Sequence, residues 1–281
     1  MTDDIKFNLH THCSYCDGQG EPRLYVTKAI QRGFKVLGFT SHAPLSIKNN
    51  WALRDEFQLS RYINEIKSLK KEFSSCLEIY VGLEVDYLGE NKNNLFHSVL
   101  LDYMIGAVHY FIDLKNNKYY GIDSTKEEFL LAFEDLFNRD CRKMVNSYYD
   151  LVINMVDSYR PSIVGHLDLL KKHNTELNIF SEKEIWYSNK VQEALLVIKK
   201  NNCIVEVNTG GMNRGYLNTV YPSPWILRKC KDIDIPVTIS SDAHKPEHID
   251  KNFHKARAIL KDLGFRKQMC LQKGHWVEVP L

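Results

Sequence analysis

Seven short apolar runs punctuate the chain, and most are followed by a longer stretch in which apolar residues recur every three or four positions. The runs are KFNLH (6–10), KVLGFT (35–40), LEIYVGLE (77–84), DYMIGAVH (102–109), PSIVGH (161–166), CIVEVN (203–208) and PVTISSD (236–242). Their length and β-branched content predict strands. The intervening periodicity predicts helices over 21–33, 59–73, 126–137, 144–159, 182–201 and 254–264. The first of these has Pro22 near its start and Gly33 just past its end, a matched start and stop. Repeated strand–helix alternation predicts a parallel α/β sheet, open and doubly wound or closed as a barrel. A GxGxxG fingerprint after the first strand and a Walker loop are both absent, which argues against the commonest doubly wound uses. The longest interval, 110–160, reads as a helical insertion forming a lid or wall. No linker-like stretch divides the chain, so residues 1–281 are expected to form a single domain.

The C-terminal ends of the runs carry an unusual residue set. The first ends in His10 and His12, the second in His42, the third in Glu84, the fourth in His109, the fifth in His166 and the seventh in Asp242 and His244. The sixth ends in Glu206 and Asn208, followed by Thr209, Gly210 and Gly211. Strand side chains alternate, so His10 and His12 share one face, as do Asp242 and His244. In a parallel α/β barrel these ends form the active-site rim. A lone His42 or His109 is an ordinary structural residue; six strands delivering His, Glu or Asp to one rim is a pattern that packing does not require. His97, His173, His248, His254 and His275 fall in loops or on helical faces and read as surface residues.

Composition narrows the picture. With 281 residues, 44% of them hydrophobic, the chain is long enough for one large barrel. Net charge is +2, with basic and acidic residues mixed, which gives no case for a nucleic-acid surface or an anionic membrane. The N-terminal segment lacks an apolar signal core, and no run approaches the ~18 residues of a membrane span. Seven scattered cysteines without a framework spacing point to reduced thiols in a cytoplasmic protein. Cys13 and Cys16 form a CxxC, read as incidental because the thioredoxin-like context is missing. Imidazole nitrogens with carboxylate oxygens, and no paired thiolates, suit Zn, Mn or Fe in a catalytic site.

In this order, HxH, SHAP, GLEVDY, GAVHYF, GHLDL and SDAH resemble the PHP (polymerase and histidinol phosphatase) superfamily, most closely its monofunctional histidinol-phosphatase branch. The resemblance runs from about residue 8 to 250. It implies a distorted (β/α)7 TIM-like barrel of PHP type with three divalent metal ions at the C-terminal rim. Carried over by position, one ion takes His10, His12, Glu84 and Asp242; a second shares Glu84 and adds His109 and His166; the third takes His42, His244 and a residue after HxH. Many relatives have histidine there; this chain offers Asp17, with glycine at 18.

The implied activity is hydrolysis of L-histidinol phosphate to L-histidinol and phosphate in histidine biosynthesis. The ions would acidify water and neutralise the phosphoryl oxygens. Asp17 or His42 would protonate the departing oxygen, and Asp242 would orient the nucleophile. Arg214, after the sixth run, and Arg142, in the insertion, are the candidate phosphate-binding arginines. Arg160 precedes the fifth run and should lie at the far end, ~20 Å from His166 at 3.3 Å per residue. Glu206 and Asp86 are the candidates for holding the substrate amine. Two rivals remain at this level: a PHP phosphoesterase for another small phosphomonoester, and a non-catalytic metal-binding accessory module. Oligomeric state is left open.

Overall fold

The computed structural model describes residues 5–89 and 100–281. His97 lies outside them. In chain order the strands are β1 (Phe7–Asn8), β2 (Val36–Phe39), β3 (Glu78–Asp86), β4 (Tyr103–Ala107), a hairpin of β5 (Tyr110–Asp113) and β6 (Lys118–Gly121), then β7 (Ile163–Val164), β8 (Ile204–Asn208), β9 (Val237–Ser240) and a last hairpin, β10 (Lys267–Gln272) and β11 (His275–Pro280). The helices are α1 (Pro22–Gln31), α2 (Glu56–Glu72), α3 (Lys126–Leu131), α4 (Cys141–Tyr159), α5 (Lys171–Leu177), α6 (Ile185–Lys200), α7 (Gly210–Asn213), α8 (Pro224–Asp232) and α9 (Phe253–Asp262).

The seven strands expected from the apolar runs lie side by side in the order β1-β2-β3-β4-β7-β8-β9, every neighbouring pair parallel. The first and last meet beyond their ends through a bridge between Thr11 and Ala243. There the His12 N–H donates to the Ala243 carbonyl at 2.9 Å, and the Ala243 N–H to the His10 carbonyl at 3.1 Å. The Asn8 side chain crosses the same seam, accepting from the Ser241 N–H at 3.0 Å and donating to Ser241 Oγ at 2.9 Å. The result is a nearly closed, distorted (β/α)7 TIM-like barrel ringed by helices.

Alternation along the strands divides the interior in two. On β3 the outward residues Ile79, Val81, Leu83 and Val85 pack with Tyr25, Tyr62 and Ile66 of α1 and α2. The inward Tyr80 joins Phe7, Leu9, Tyr103, Ile105, Ile163 and Ile204 in an apolar floor. Two and three pleats further along the same face stand Glu84 and Asp86. On β8, likewise, Ile204 faces the floor and Glu206 and Asn208 follow it towards the rim. The barrel is therefore apolar at its N-terminal end and ionisable at its C-terminal end. Cys270, Leu271 and Val279 of the β10–β11 hairpin close the apolar end. Nothing in the strand–helix alternation signals that hairpin: its turn is Lys273–Gly274, at φ 48° and 77°, rather than an Asn-Gly or Asp-Gly pair.

The outer layer is conventional. α4 buries Met144, Val145, Tyr148, Tyr149, Val152, Met155 and Val156 on one stripe, each worth about 1.5–3 kcal/mol for the larger side chains. It packs on β4 and α6 as the return helix between β4 and β7. The insertion expected at 110–160 is thus smaller and differently built: it begins with the β5–β6 hairpin, continues through α3 and a π turn (Ala132–Leu136), and ends before α4. The pattern also missed α5, α7 and α8, all short. No helix among the described residues is long and apolar enough to cross a membrane.

Candidate metal centre

Glu84, fully buried on β3, is the hub of the rim. Its Oε2 lies 3.2 Å from His10 Nε2, His12 Nε2 and His42 Nδ1 alike. Its Oε1 lies 2.8 Å from His166 Nε2 and 3.6 Å from His109 Nε2. His10 and His12 are brought together as the alternation predicts, with Nε2 atoms 3.1 Å apart, although the strand ends at Asn8 and the alternation continues across the Thr11 bridge. Asp242 completes the group, its Oδ1 3.3 Å from His12 Nε2 and 3.7 Å from His10 Nε2. It sits at φ 49°, a left-handed conformation that aspartate tolerates better than most residues.

Asp17 falls beside the remaining histidines. Its Oδ2 is 3.1 Å from His244 Nε2, and its Oδ1 is 3.3 Å from His12 Nδ1 and 3.8 Å from His42 Nε2. Among the described residues three donor groups result: His12, Asp17, His42 and His244; His10, His12 and Asp242; His42, Glu84 and His109. Position 18 could not supply a ligand instead. A Cβ on Gly18 would stand 2.3 Å from the backbone nitrogen of Cys13, so the turn after HxH closes only on glycine. Of the CxxC pair, buried Cys13 contacts Ser41 Oγ at 3.3 Å, and Cys16 Sγ lies 3.4 Å from His12 Nδ1.

Two carboxylates beneath the histidines orient them. Glu206 accepts from His10 Nδ1 at 2.5 Å, the His166 N–H at 2.8 Å, Asn208 Nδ2 at 2.9 Å and the Ser240 hydroxyl. Asp86 Oδ1 is 2.6 Å from His109 Nδ1. Both are fully buried, and neither lines the cavity. That corrects their expected part in holding a substrate amine. They accept from Nδ1 of each ring instead, which would leave Nε2 free to ligate once a metal displaces its proton.

The donor chemistry fits divalent metal. His42 Nδ1 and His166 Nδ1 are buried without a hydrogen-bond partner, and five imidazoles converge on one carboxylate. Burial opposes charge on His10, but Glu206, Glu84 and Asp242 outweigh it and raise its pKa to about 10. His109 likewise rises to about 10 against burial, chiefly through Asp86. Burial takes His42 down to about 3, aided by the charges of His12 and His109 against the pull of Glu84 and Asp17. Burial works against Asp17 too, yet His42, His12 and His244 hold its carboxyl far below the usual range. His42 turns Nδ1 towards Glu84 at 3.2 Å and Nε2 towards Asp17 at 3.8 Å, without a hydrogen bond to either.

These directions give a pH expectation. Folded pKa values near 10, above the 6.5 of free histidine, mean that the pairings of His10 and His109 stabilise the metal-free fold fully below about pH 6.5. That contribution fades as pH rises towards 10. A metal must displace the same protons, so its affinity should climb with pH, about tenfold per unit for each proton released. Titrating metal-free protein with Mn²⁺ at about pH 6.5 and about pH 8.5 tests this, since ligation by these ring nitrogens requires their deprotonation. Equal affinities at the two values would remove the histidines as ligands.

A cavity of about 720 Å³ opens over this centre, between the loop before α2 and the β5–β6 hairpin. Trp51 forms part of its wall, 4.4 Å from the His42 ring and stacked on Tyr110 at 6.2 Å. Arg214 lines it, its Nη2 2.8 Å from Asp242 Oδ2 and its Nη1 3.0 Å from His244 Nδ1. Gly210 makes room for this pair: a Cβ there would lie 2.6 Å from Asp242 Oδ2 and 3.0 Å from Arg214 Nη2. Arg142 does not reach the cavity. It is exposed on α4, over the ring of Trp186, and lines a separate surface groove. Arg160 caps α4 at φ 45° and is absent from the cavity lining. Lys172, which the sequence reading passed over, is a cavity cation: only 12% exposed, it packs on Tyr216 at 4.4 Å and donates to the Asp123 carbonyl. His173, expected at the surface, is buried against Phe129 at 5.6 Å, while His254 and His275 are exposed.

The chain is similar to known proteins over most of its length. The family model for the PHP domain matches residues 8–210. A histidinol-phosphatase of Bacillus subtilis is 30% identical over 251 residues, covering 84% of this chain and 92% of its own. A protein named probable histidinol-phosphatase from Deinococcus radiodurans is 30% identical over 264 residues, covering 92% of this chain and 93% of its own. Among solved structures, histidinol phosphate phosphatase from Lactococcus lactis, complexed with zinc, L-histidinol and phosphate, superposes with a TM-score of 0.73 at 21% identity, covering 97% of this chain and 98% of that one.

Proposed function

The chain belongs to the PHP domain family, and from that membership and its rim chemistry we infer that it is a metal-dependent phosphomonoesterase hydrolysing L-histidinol phosphate to L-histidinol and phosphate. The reaction is a step of histidine biosynthesis. The observation that carries the reading is the convergence of five imidazoles on Glu84 within a chain that spans nearly the full length of histidinol-phosphatases. The complete donor set also weighs against the accessory-module reading.

The proposed site holds three divalent ions of the zinc, iron or manganese class. His10, His12, Glu84 and Asp242 would hold the first, Glu84, His109 and His166 the second, and Asp17, His42 and His244 the third. Bound ions supply an acidified water and positive charge opposite the phosphoryl oxygens. The chain's own residues do the positioning. His244 can ligate through Nε2 only with its proton on Nδ1, where the Asp242 carbonyl accepts it at 3.0 Å. That tautomer offers Arg214 Nη1 no acceptor on His244, so the guanidinium turns to a phosphoryl oxygen. Its Nη2 keeps Asp242 Oδ2, leaving Oδ1 to face His10 and His12 and orient the nucleophile. The substrate is a small phosphate ester; the reading invokes no nucleic acid and no membrane. We read residues 1–281 as one domain acting in the cytoplasm.

The test is phosphate release from L-histidinol phosphate by purified protein supplied with Zn²⁺, Mn²⁺ or Fe²⁺, beside a panel of common phosphomonoesters. A kcat/KM at or above ~10⁴ M⁻¹s⁻¹, and well above the panel, is the expected result. Turnover of the panel but not of histidinol phosphate would overturn the substrate and keep the phosphoesterase.

A further inference from the structure

The proposed substrate is a dianion at one end and a cation at the other, and the cavity contains more acid than metal ligation uses. Five carboxylates line it: Asp17, Glu84, Asp242, Asp123 and Glu128. The first three belong to the donor groups; Asp123 and Glu128 belong to none of them. Asp123 comes from the segment joining β6 to α3 and Glu128 from the first turn of α3, on the wall formed by the insertion.

The backbone of this segment is pinned at two points. The Ile122 N–H donates to the His109 carbonyl at 2.8 Å, and Lys172 Nζ donates to the carbonyl of Asp123. Asp123 is thereby anchored next to a metal-ligand histidine. Its own carboxylate remains 34% exposed, and its ion pair with Lys172 is long, Nζ to Oδ2 4.0 Å, beyond hydrogen-bond distance; the charges of His109, His166 and Arg214 also favour its ionised form. Glu128 is held from behind, Oε1 accepting the Gly121 N–H at 2.8 Å. Two ammonium groups, Lys172 and Lys118, line this wall beside the two carboxylates; Lys118 is engaged elsewhere, 3.8 Å from Asp135 and 4.2 Å over the Tyr120 ring. The aromatic faces of Trp51 and Tyr110 line the same cavity, offering a planar ring an apolar surface.

We propose that Asp123, supported by Glu128, is the specificity-determining group that receives the cationic alcohol end of the substrate, so that the protein selects phosphomonoesters of amino alcohols over those of neutral alcohols. The proposal rests on the functional reading above and adds the residues that read the leaving group. A charge-assisted hydrogen bond from the substrate ammonium to Asp123 would be made at binding and kept while the phosphoryl group departs. Its loss should therefore appear in the affinity for the alcohol and leave phosphate recognition intact.

The experiment compares wild type, Asp123→Asn, Asp123→Glu and Glu128→Gln on L-histidinol phosphate and on p-nitrophenyl phosphate, whose leaving group carries no cation. Product inhibition by L-histidinol and by inorganic phosphate is measured on each. Asp123→Asn is expected to raise KM for L-histidinol phosphate and the inhibition constant of L-histidinol by ~10–100-fold. The kcat/KM for p-nitrophenyl phosphate and inhibition by inorganic phosphate should stay within about threefold, since neither probes the ammonium contact. Asp123→Glu should recover most of the loss, and Glu128→Gln should show the same pattern more weakly, which also serves if Asp123→Asn folds poorly. Equal losses on both substrates, or unchanged inhibition by L-histidinol, would overturn the assignment. A wild-type protein with no preference for L-histidinol phosphate would instead bring down the functional reading itself, and the assignment with it.

Discussion

Glu84→Ala is expected to abolish hydrolysis, lowering kcat/KM by at least ~10⁴-fold, and to empty the centre of metal. Among the described residues, Glu84 is the one side chain that faces His10, His12, His42, His109 and His166 together. In the proposed arrangement it would be shared by the first and second ions, so its removal would take an anion from both at once. Among the described residues, the carboxylates that touch the same histidines are already engaged. Asp86 is committed to His109, Glu206 to His10, and Asp242 to Arg214. The metal-free fold should also suffer, because buried imidazolium charges at His10 and His109 would lose a compensating carboxylate. The checks are metal content by elemental analysis, phosphate release, and thermal unfolding with and without added metal. In wild type, added metal should raise Tm; in the variant that rise should vanish. Retention of a full metal complement with only a few-fold loss of rate would show that the ions sit elsewhere and would remove the shared-ligand arrangement.

Much of this centre was legible because its parts lie at the ends of apolar runs, where strand alternation and the barrel rule give both face and rim without any long-range contact. His10 and His12, Glu84, Asp242 and His244 follow from that logic alone. Asp17 followed only from the likeness to a family pattern, since a loop residue has no periodicity to place it. Glu206 and Asp86 were noticed as rim acids but given the wrong task. Depth in the barrel decides between touching a substrate and touching a histidine, and depth depends on the register of seven strands. Arg142 was misplaced for a related reason: the interval 110–160 contains both a true insertion and the return helix α4, and the sequence does not mark where one ends. Lys172 and His173 sit on a helix of seven residues, too short for its buried and exposed faces to be read from spacing. The β10–β11 hairpin adds antiparallel strands outside the repeating unit, so the alternation that reveals the barrel is blind to its plug.

Replacing Glu206 should separate orientation from ligation, with a different signature from that of Glu84. Glu206 touches no proposed ion, yet it accepts four hydrogen bonds, from His10, His166, Asn208 and Ser240. With the carboxylate present, His10 Nδ1 keeps its proton, and Nε2 is the nitrogen that would be freed to ligate when a metal binds. Glu206→Leu leaves Nδ1–H without an acceptor in a fully buried site, and the ring loses its reason to keep that tautomer. Removing one partner of a buried pair costs about 3–5 kcal/mol, so Tm of the metal-free variant should fall by several degrees or more. Metal affinity should fall ~10–100-fold, the usual range for a carboxylate behind a ligand histidine. Unlike Glu84→Ala, much of the rate should return at high metal concentration, because every ligand remains. Glu206→Gln, which preserves shape and one acceptor oxygen, should fall between wild type and Glu206→Leu on all three readouts. Competition for metal with a chelator of known affinity, beside thermal unfolding and saturating-metal kinetics, distinguishes these outcomes. If metal affinity were unchanged and inhibition by L-histidinol weakened instead, Glu206 would belong to substrate recognition, and the burial that removes it from the cavity wall would have misled.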